Sequence, residues 1–181
     1  MIEKYALFKA IQKLITSPNN YSVRSLAKEA NISVSTSKEC LDYLLKKKIL
    51  TLKKIGSTYQ YNLYNNIITK QIKILFSLFQ ILDSNLIEEL LEKYKYILSI
   101  ILYGSVARGE DDSKSDIDIL IISRKKNEIL PLKAEKYVKR EITFLVYTML
   151  EWRQKSKTDK VFYDRIILDG IPLYGEIPMI K

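Results

Sequence analysis

The chain has 181 residues, with 30 Lys+Arg against 21 Asp+Glu and a formal net charge of +9 at pH 7. It contains no histidine, which excludes Ser-His-Asp and Cys-His catalysis, His-ligated zinc and histidine pH switching. The single cysteine, Cys40, allows no internal disulfide and reads as a small core residue of a helix. Any chemistry therefore falls to carboxylates, hydroxyls, lysines, arginines and bound metal.

The length suits one medium domain or two small ones. Met1–Thr16 is amphipathic and interrupted by Glu3, Lys4, Lys9 and Lys13, unlike a signal peptide. No stretch reaches the ~18 uninterrupted apolar residues of a membrane span. A cytoplasmic protein with no membrane partner is expected.

The positive charge is concentrated at one end. Residues 1–66 hold 11 Lys+Arg and 4 Asp+Glu, whereas the remainder holds 19 and 17. The first third is thus the part suited to a polyanion. In chain order, Tyr5, Leu7, Phe8, Ile11, Leu14 and Ile15 recur at helical spacing and stop at Ser17-Pro18-Asn19-Asn20, a turn cluster. Ser22 is placed to cap a short helix presenting Val23, Leu26, Ala27 and Ala30. Asn31-Ile32 makes the turn, and Ser33 caps another helix with Val34, Cys40, Leu41, Leu44 and Leu45 as its apolar face. Ile49–Ile55 and Thr58–Tyr64 alternate as two strands joined around Gly56-Ser57.

This order resembles a winged helix-turn-helix domain. The resemblance implies DNA binding, with Ser35, Thr36, Lys38, Glu39, Asp42 and Tyr43 on the groove-facing side of the second capped helix. Lys46, Lys47, Lys48, Lys53 and Lys54 would meet phosphates. A helical adaptor with a solvated basic surface is the alternative.

Ten of the seventeen residues of Asn66–Leu82 are apolar, too many for one core-facing stripe. Such a helix is covered on two sides, either between two domains of one chain or by a second copy in a homodimer.

A near-continuous apolar strand, Tyr96–Tyr103, then runs into Gly104-Ser105-Val106-Ala107-Arg108-Gly109. After the polar loop Glu110–Ser115, Asp116-Ile117-Asp118-Ile119 opens a second strand. Gly104 permits close approach to a phosphate, and Ser105 adds a hydroxyl beside the amides of a short helix. Asp116 and Asp118, two apart on a strand, share a face, while Ile117 and Ile119 face a core. Two neighbouring aspartates repel unless a cation lies between them, and Mg²⁺ (or Mn²⁺) suits oxygen ligands. A glycine-serine cradle facing paired aspartates is a layout for transferring part of a nucleoside triphosphate. The plainer alternative is solvated acids at a strand start.

Gly104-Ser105, ten residues, then Asp116-Ile117-Asp118, with Ala107-Arg108-Gly109 and Ser115 between, resembles the signature of the minimal nucleotidyltransferases of the DNA polymerase beta superfamily. Weaker likeness extends over Arg140–Leu150 and Phe162–Gly175. A winged helix fused to such a domain is an arrangement associated with prokaryotic, often archaeal, members. The resemblance implies that Gly104 and Ser105 hold the terminal phosphates and that Asp116 and Asp118 bind the metal. Arg108 would either neutralise phosphate charge or serve the short helix structurally.

The family generally places a third carboxylate on a later strand. Here the strand Arg140–Tyr147 puts Thr143 at that position, with Ile142, Phe144 and Val146 toward the core. Glu141, on the same face, either substitutes as a catalytic carboxylate or is an ordinary edge glutamate.

The expected fold class is α+β. It would comprise a winged helix-turn-helix at 1–65, a connecting helix at 66–85, and a nucleotidyltransferase-type mixed sheet with flanking helices at 86–181. The expected function is Mg²⁺-dependent transfer of a nucleoside monophosphate, most simply AMP, to a hydroxyl. Within the family this includes antitoxins that modify a partner toxin. The alternative is a non-catalytic DNA-binding regulator whose second domain senses nucleotide or holds a partner.

Overall fold

The computed structural model describes residues 5–16, 20–112, 114–126, 129, 132–138 and 140–180. It divides into two compact units, Met1–Lys73 and Ile74–Lys181. The turn cluster anticipated at Ser17-Pro18-Asn19 lies outside the described residues.

The first unit holds α1 (Ala6–Thr16), α2 (Val23–Ala30), α3 (Val34–Lys46) and the antiparallel hairpin β1 (Leu50–Ile55) and β2 (Thr58–Leu63). Local chemistry fixes its corners. Ser22 caps α2 by accepting from the Ser25 amide while the Ser25 hydroxyl accepts from the Ser22 amide. Asn31 ends α2 in the left-handed region at φ 52°, and Ser33 caps α3 through the Thr36 amide. Each such cap stabilises its helix by about 1 kcal/mol.

Ala10, Leu14, Leu26, Leu41, Leu44, Leu50 and Tyr61 form the core, with Cys40 buried among them. Ser37 is also buried, its hydroxyl donating to the Val23 carbonyl at 2.9 Å and tying α3 to α2. Val34, expected on the buried face of α3, is instead 53% exposed. It shares the face of Ser37, Leu41 and Leu44 but occupies the first position of the helix, one turn before the first buried residue of that face.

The helix α4 (Ile67–Asp83) begins in the first unit and ends in the second. Asn66 caps it, accepting from the Thr69 amide at 3.0 Å. Phe76 and Ile81 are buried, whereas Ile67, Ile68, Leu75 and Leu82 are exposed.

The second unit continues with α5 (Leu86–Lys93), β3 (Ile97–Tyr103), α6 (Gly104–Ala107), β4 (Ile117–Ser123), α7 (Lys133–Val138), β5 (Ile142–Thr148), α8 (Met149–Thr158), α9 (Lys160–Asp169) and β6 (Ile171–Tyr174). Its four-stranded sheet has the order β5-β4-β3-β6. The β4–β5 pair is parallel and the other two pairs are antiparallel, so the sheet is mixed and the fold is α+β.

Strand alternation splits the apolar residues between two faces. Ile100, Leu102, Ile117, Ile119, Ile121, Ile142, Phe144 and Val146 pack with Ile81, Leu86, Leu90, Ala134 and Val138. Ile101, Leu120, Ile122, Leu145 and Tyr147 pack instead with Trp152, Phe162, Tyr163 and Ile166 of α8 and α9. Trp152 is fully buried and its Nε1 donates to the Pro178 carbonyl at 2.8 Å, which fastens the C-terminal segment to that layer. Among the described residues, no helix is long and apolar enough to cross a membrane.

Candidate functional site

The antiparallel pairing of β3 and β4 sets Tyr103 opposite Asp118. The next residue, Gly104, turns the chain out of the sheet with φ 76°, a conformation that side chains disfavour. A Cβ at Gly104 would run into Oδ2 of Asp118, so the absence of a side chain is what lets α6 start against the carboxylate. Backbone torsion and close packing thus demand the same residue.

Asp116 immediately precedes β4 and is exposed; Asp118 lies within the strand and is half-buried. Burial raises the Asp118 carboxyl above the ordinary aspartate range, the nearby Asp116 charge raises it further, and Arg108 opposes both. The sequence-predicted pair is therefore electrostatically coupled, with a guanidinium in reach of it. Tyr103 is pushed up to about 12 by burial, then by the Asp118 and Tyr147 charges, and its phenol stays protonated at neutral pH.

Tyr103, Gly104, Ser105, Arg108 and Asp118 form one wall of a cavity of about 330 Å³. Phe162, Arg165, Ile166 and Asp169 of α9 form the other. The volume is in the range of small-molecule sites. Arg108 follows α6 directly, and its Nε donates to Glu110 Oε2 at 2.9 Å. Phe162 meets Tyr103 edge-on at 5.8 Å and also contacts Tyr147 and Trp152, so its ring is held by three aromatic neighbours.

The loop before Asp116 is anchored by two residues that sequence reasoning left unassigned. Arg140 donates from Nη1 to Asp111 Oδ2 at 3.1 Å and from Nε to the Ser115 carbonyl at 2.7 Å. Both side chains of this ion pair are largely buried. The sequence placed Arg140 at the start of a strand; β5 begins two residues later, at Ile142, which frees Arg140 for this role.

Thr143 pairs with Asp118 across the parallel β4–β5 ladder. Glu141 precedes β5 and is exposed, and its carbonyl accepts from the Ile117 amide at 2.9 Å. Among the described residues, no group of three or more His, Cys, Asp or Glu stands close enough to hold a metal ion. Asp116 and Asp118 are brought together; Glu141 does not join them in such a group.

In the first unit, Ser35, Lys38, Glu39, Asp42, Tyr43, Lys46, Lys47, Lys48, Lys53 and Lys54 are exposed. Thr36 is half-buried and its hydroxyl pairs with Ser33 Oγ at 2.8 Å. Lys38 and Asp42 form an exposed ion pair. Lys47 lies over the Tyr43 ring and Lys54 over the Tyr59 ring, at 5.7 and 5.9 Å.

Residues 83–168 match the family model described as nucleotidyltransferase domain. The match spans α5, β3, α6, β4, α7, β5, α8 and nearly all of α9, and with them Gly104 and the aspartate pair. It supports a nucleotidyl-transfer function for this part of the chain. No curated protein matches the chain.

Proposed function

We propose that the second unit transfers a nucleoside monophosphate, most simply AMP, from a nucleoside triphosphate to a hydroxyl acceptor. The seating of Gly104 against the Asp118 carboxylate carries the reading, because it sets the side-chain-free start of α6 directly beside one of the paired carboxylates, on the wall of the cavity. Mg²⁺ or Mn²⁺ fits this donor set. Mg²⁺ is commonly held by one or two carboxylates together with substrate phosphates, and Asp116 and Asp118 supply two. When bound, the ion would neutralise triphosphate charge.

The chain's own residues do the rest. Gly104 and Ser105 receive the terminal phosphates, and Arg108 adds positive charge to that wall. The acceptor oxygen bonds to the α-phosphorus, the bond to the β-phosphate bridging oxygen breaks, pyrophosphate leaves, and the hydroxyl proton is lost to solvent. Incubating the full-length protein with Mg²⁺ and α-labelled ATP, with and without the protein encoded beside it, tests this. Label transferred to a protein or RNA supports it, and no transfer to any acceptor opposes it.

The second reading, a nucleotide-sensing regulator without catalysis, is favoured by Thr143 at the place beside Asp118 where a third carboxylate would stand. Metal-dependent nucleotide binding without transfer would select it. Both readings give the first unit the same task. Its three helices and hairpin are assigned to a winged helix-turn-helix, with α3 in the major groove and the lysines of β1 on phosphates. Affinity for duplex DNA should fall steeply with salt, and Ala at Lys46, Lys53 and Lys54 should flatten that slope.

An antitoxin role toward a partner toxin belongs to the first reading. Cytoplasmic residence suits both. A homodimer through α4 would use its exposed apolar residues, of which Leu75 and Leu82 stand one heptad apart. Light scattering at micromolar concentration, with Leu75→Lys and Leu82→Lys alongside, decides it. The wild type should run as a dimer and the variants as folded monomers.

A further inference from the structure

We infer that the α9 wall of the cavity is the nucleoside end of the site and that Asp169 selects bases bearing an exocyclic amino group. This rests on the nucleotidyl-transfer reading above. Phe162, Arg165, Ile166 and Asp169 follow i, i+3, i+4, i+7 spacing and make one face of α9. At 1.5 Å per residue that row is about 10 Å long. The facing wall carries the Gly104-Ser105 cradle, so α9 is the side of the cavity across from phosphates seated there.

The row offers an aromatic ring and two opposite charges, Arg165 and Asp169, that pair with no described residue. Arg165 and Asp169 stand one helical turn apart, a spacing at which ion pairs ordinarily close. Lys38–Asp42 and Lys155–Asp159 have the same order and spacing, and both close. Arg165 and Asp169 do not, and neither side chain bonds to any described residue. Both line the cavity instead.

A carboxylate accepts hydrogen bonds and donates none. The amino groups of adenine, cytosine and guanine can donate to Asp169, whereas uracil sets a carbonyl oxygen on each side of its one N–H. The guanidinium of Arg165 supplies donors for the ring acceptors beside the amino group or for the ribose. Phe162, fixed by Tyr103, Tyr147 and Trp152, gives the base an ordered apolar surface.

Calorimetric binding to the full-length protein in Mg²⁺ tests the assignment, with ATP, CTP, GTP, UTP and inorganic tripolyphosphate as probes. ATP should bind at least about tenfold more tightly than tripolyphosphate and than UTP, the factor one charge-assisted hydrogen bond supplies. Asp169→Asn, which adds a donor at an exposed helix end, should close the gap between ATP and UTP and leave tripolyphosphate unchanged. If tripolyphosphate binds as tightly as ATP, α9 is not the nucleoside wall, although the phosphate cradle stands. An ATP-to-UTP ratio unmoved by Asp169→Asn overturns the role of Asp169. If no probe binds, tripolyphosphate included, the cradle reading fails and this assignment with it.

Discussion

Asp118 of β4 lies in parallel register with Thr143 of β5, so a hydroxyl occupies the place beside the aspartate pair where a further carboxylate would complete a metal site. Thr143→Asp would restore that ligand. It should strengthen Mn²⁺ binding at least about tenfold, since each charge-assisted contact adds on the order of 1.5 kcal/mol. Without metal the variant should be less stable than the wild type, because a third carboxylate would join two that already repel. Metal titration and thermal denaturation with and without Mn²⁺ check both signs.

Gly104→Ala should damage fold and site together. A non-glycine residue at φ 76° costs about 1–2 kcal/mol, and its methyl group would displace the Asp118 carboxylate. The expected result is a lower melting temperature and a loss of metal-dependent nucleotide binding. A variant that melts lower yet binds MgATP normally would show that the contact with Asp118 serves the fold alone.

Arg140→Ala should be among the most destabilising single changes in the second unit. It would leave the Asp111 carboxylate largely buried without its guanidinium, a loss of about 3–5 kcal/mol. It would also release the Ser115 carbonyl next to Asp116. The double variant Arg140→Ala/Asp111→Ala should recover part of the stability, as read from urea unfolding, since no uncompensated charge then remains.

Acid stability should depend on Glu89. This half-buried side chain accepts from Lys93 at 2.7 Å and, across to α7, from the amides of Lys133 and Ala134 at 3.1 Å each. The Lys93 hydrogen bond and then the two amides hold its carboxyl down to about 2, against 4.5 ordinarily. A folded-state value below the unfolded one means stability that is complete above pH 4.5 and lost as pH falls toward 2. Glu89→Gln should lower the urea midpoint at pH 7 and narrow its gap from the wild type as the pH is taken from 5 to 3.

Much of the candidate site around Gly104 and the aspartate pair is legible in the amino-acid sequence because it is local. Gly104, Ser105, Asp116 and Asp118 lie at the two ends of a short connection, and alternation alone turns Ile117 and Ile119 to the core. Ser22 and Ser33 cap their helices as expected, since capping depends on residues three apart. The likeness to the family puts Thr143 at the place of a third carboxylate, whereas the parallel register that sets it beside Asp118 is a property of the folded sheet.

The rest depends on contacts distant in the chain. Arg140 reads as the first residue of a strand, and only the fold brings it to Asp111. The wall of Phe162, Arg165, Ile166 and Asp169 carries a helical period that any core-facing stripe would share, so spacing alone does not mark it as a ligand surface. Val34 shows the reverse failure, an apolar residue counted toward a core that its place at a helix start keeps exposed.

The most direct measurement is calorimetric titration of MgATP into the full-length protein and into its Asp116→Asn/Asp118→Asn variant. If these two carboxylates hold the metal against a triphosphate cradled at Gly104 and Ser105, the wild type binds only with the divalent ion. The variant should then lose at least about a hundredfold in affinity, the sum of two charge-assisted contacts. Equal binding by the two proteins, or binding indifferent to Mg²⁺, would contradict this placement of the site.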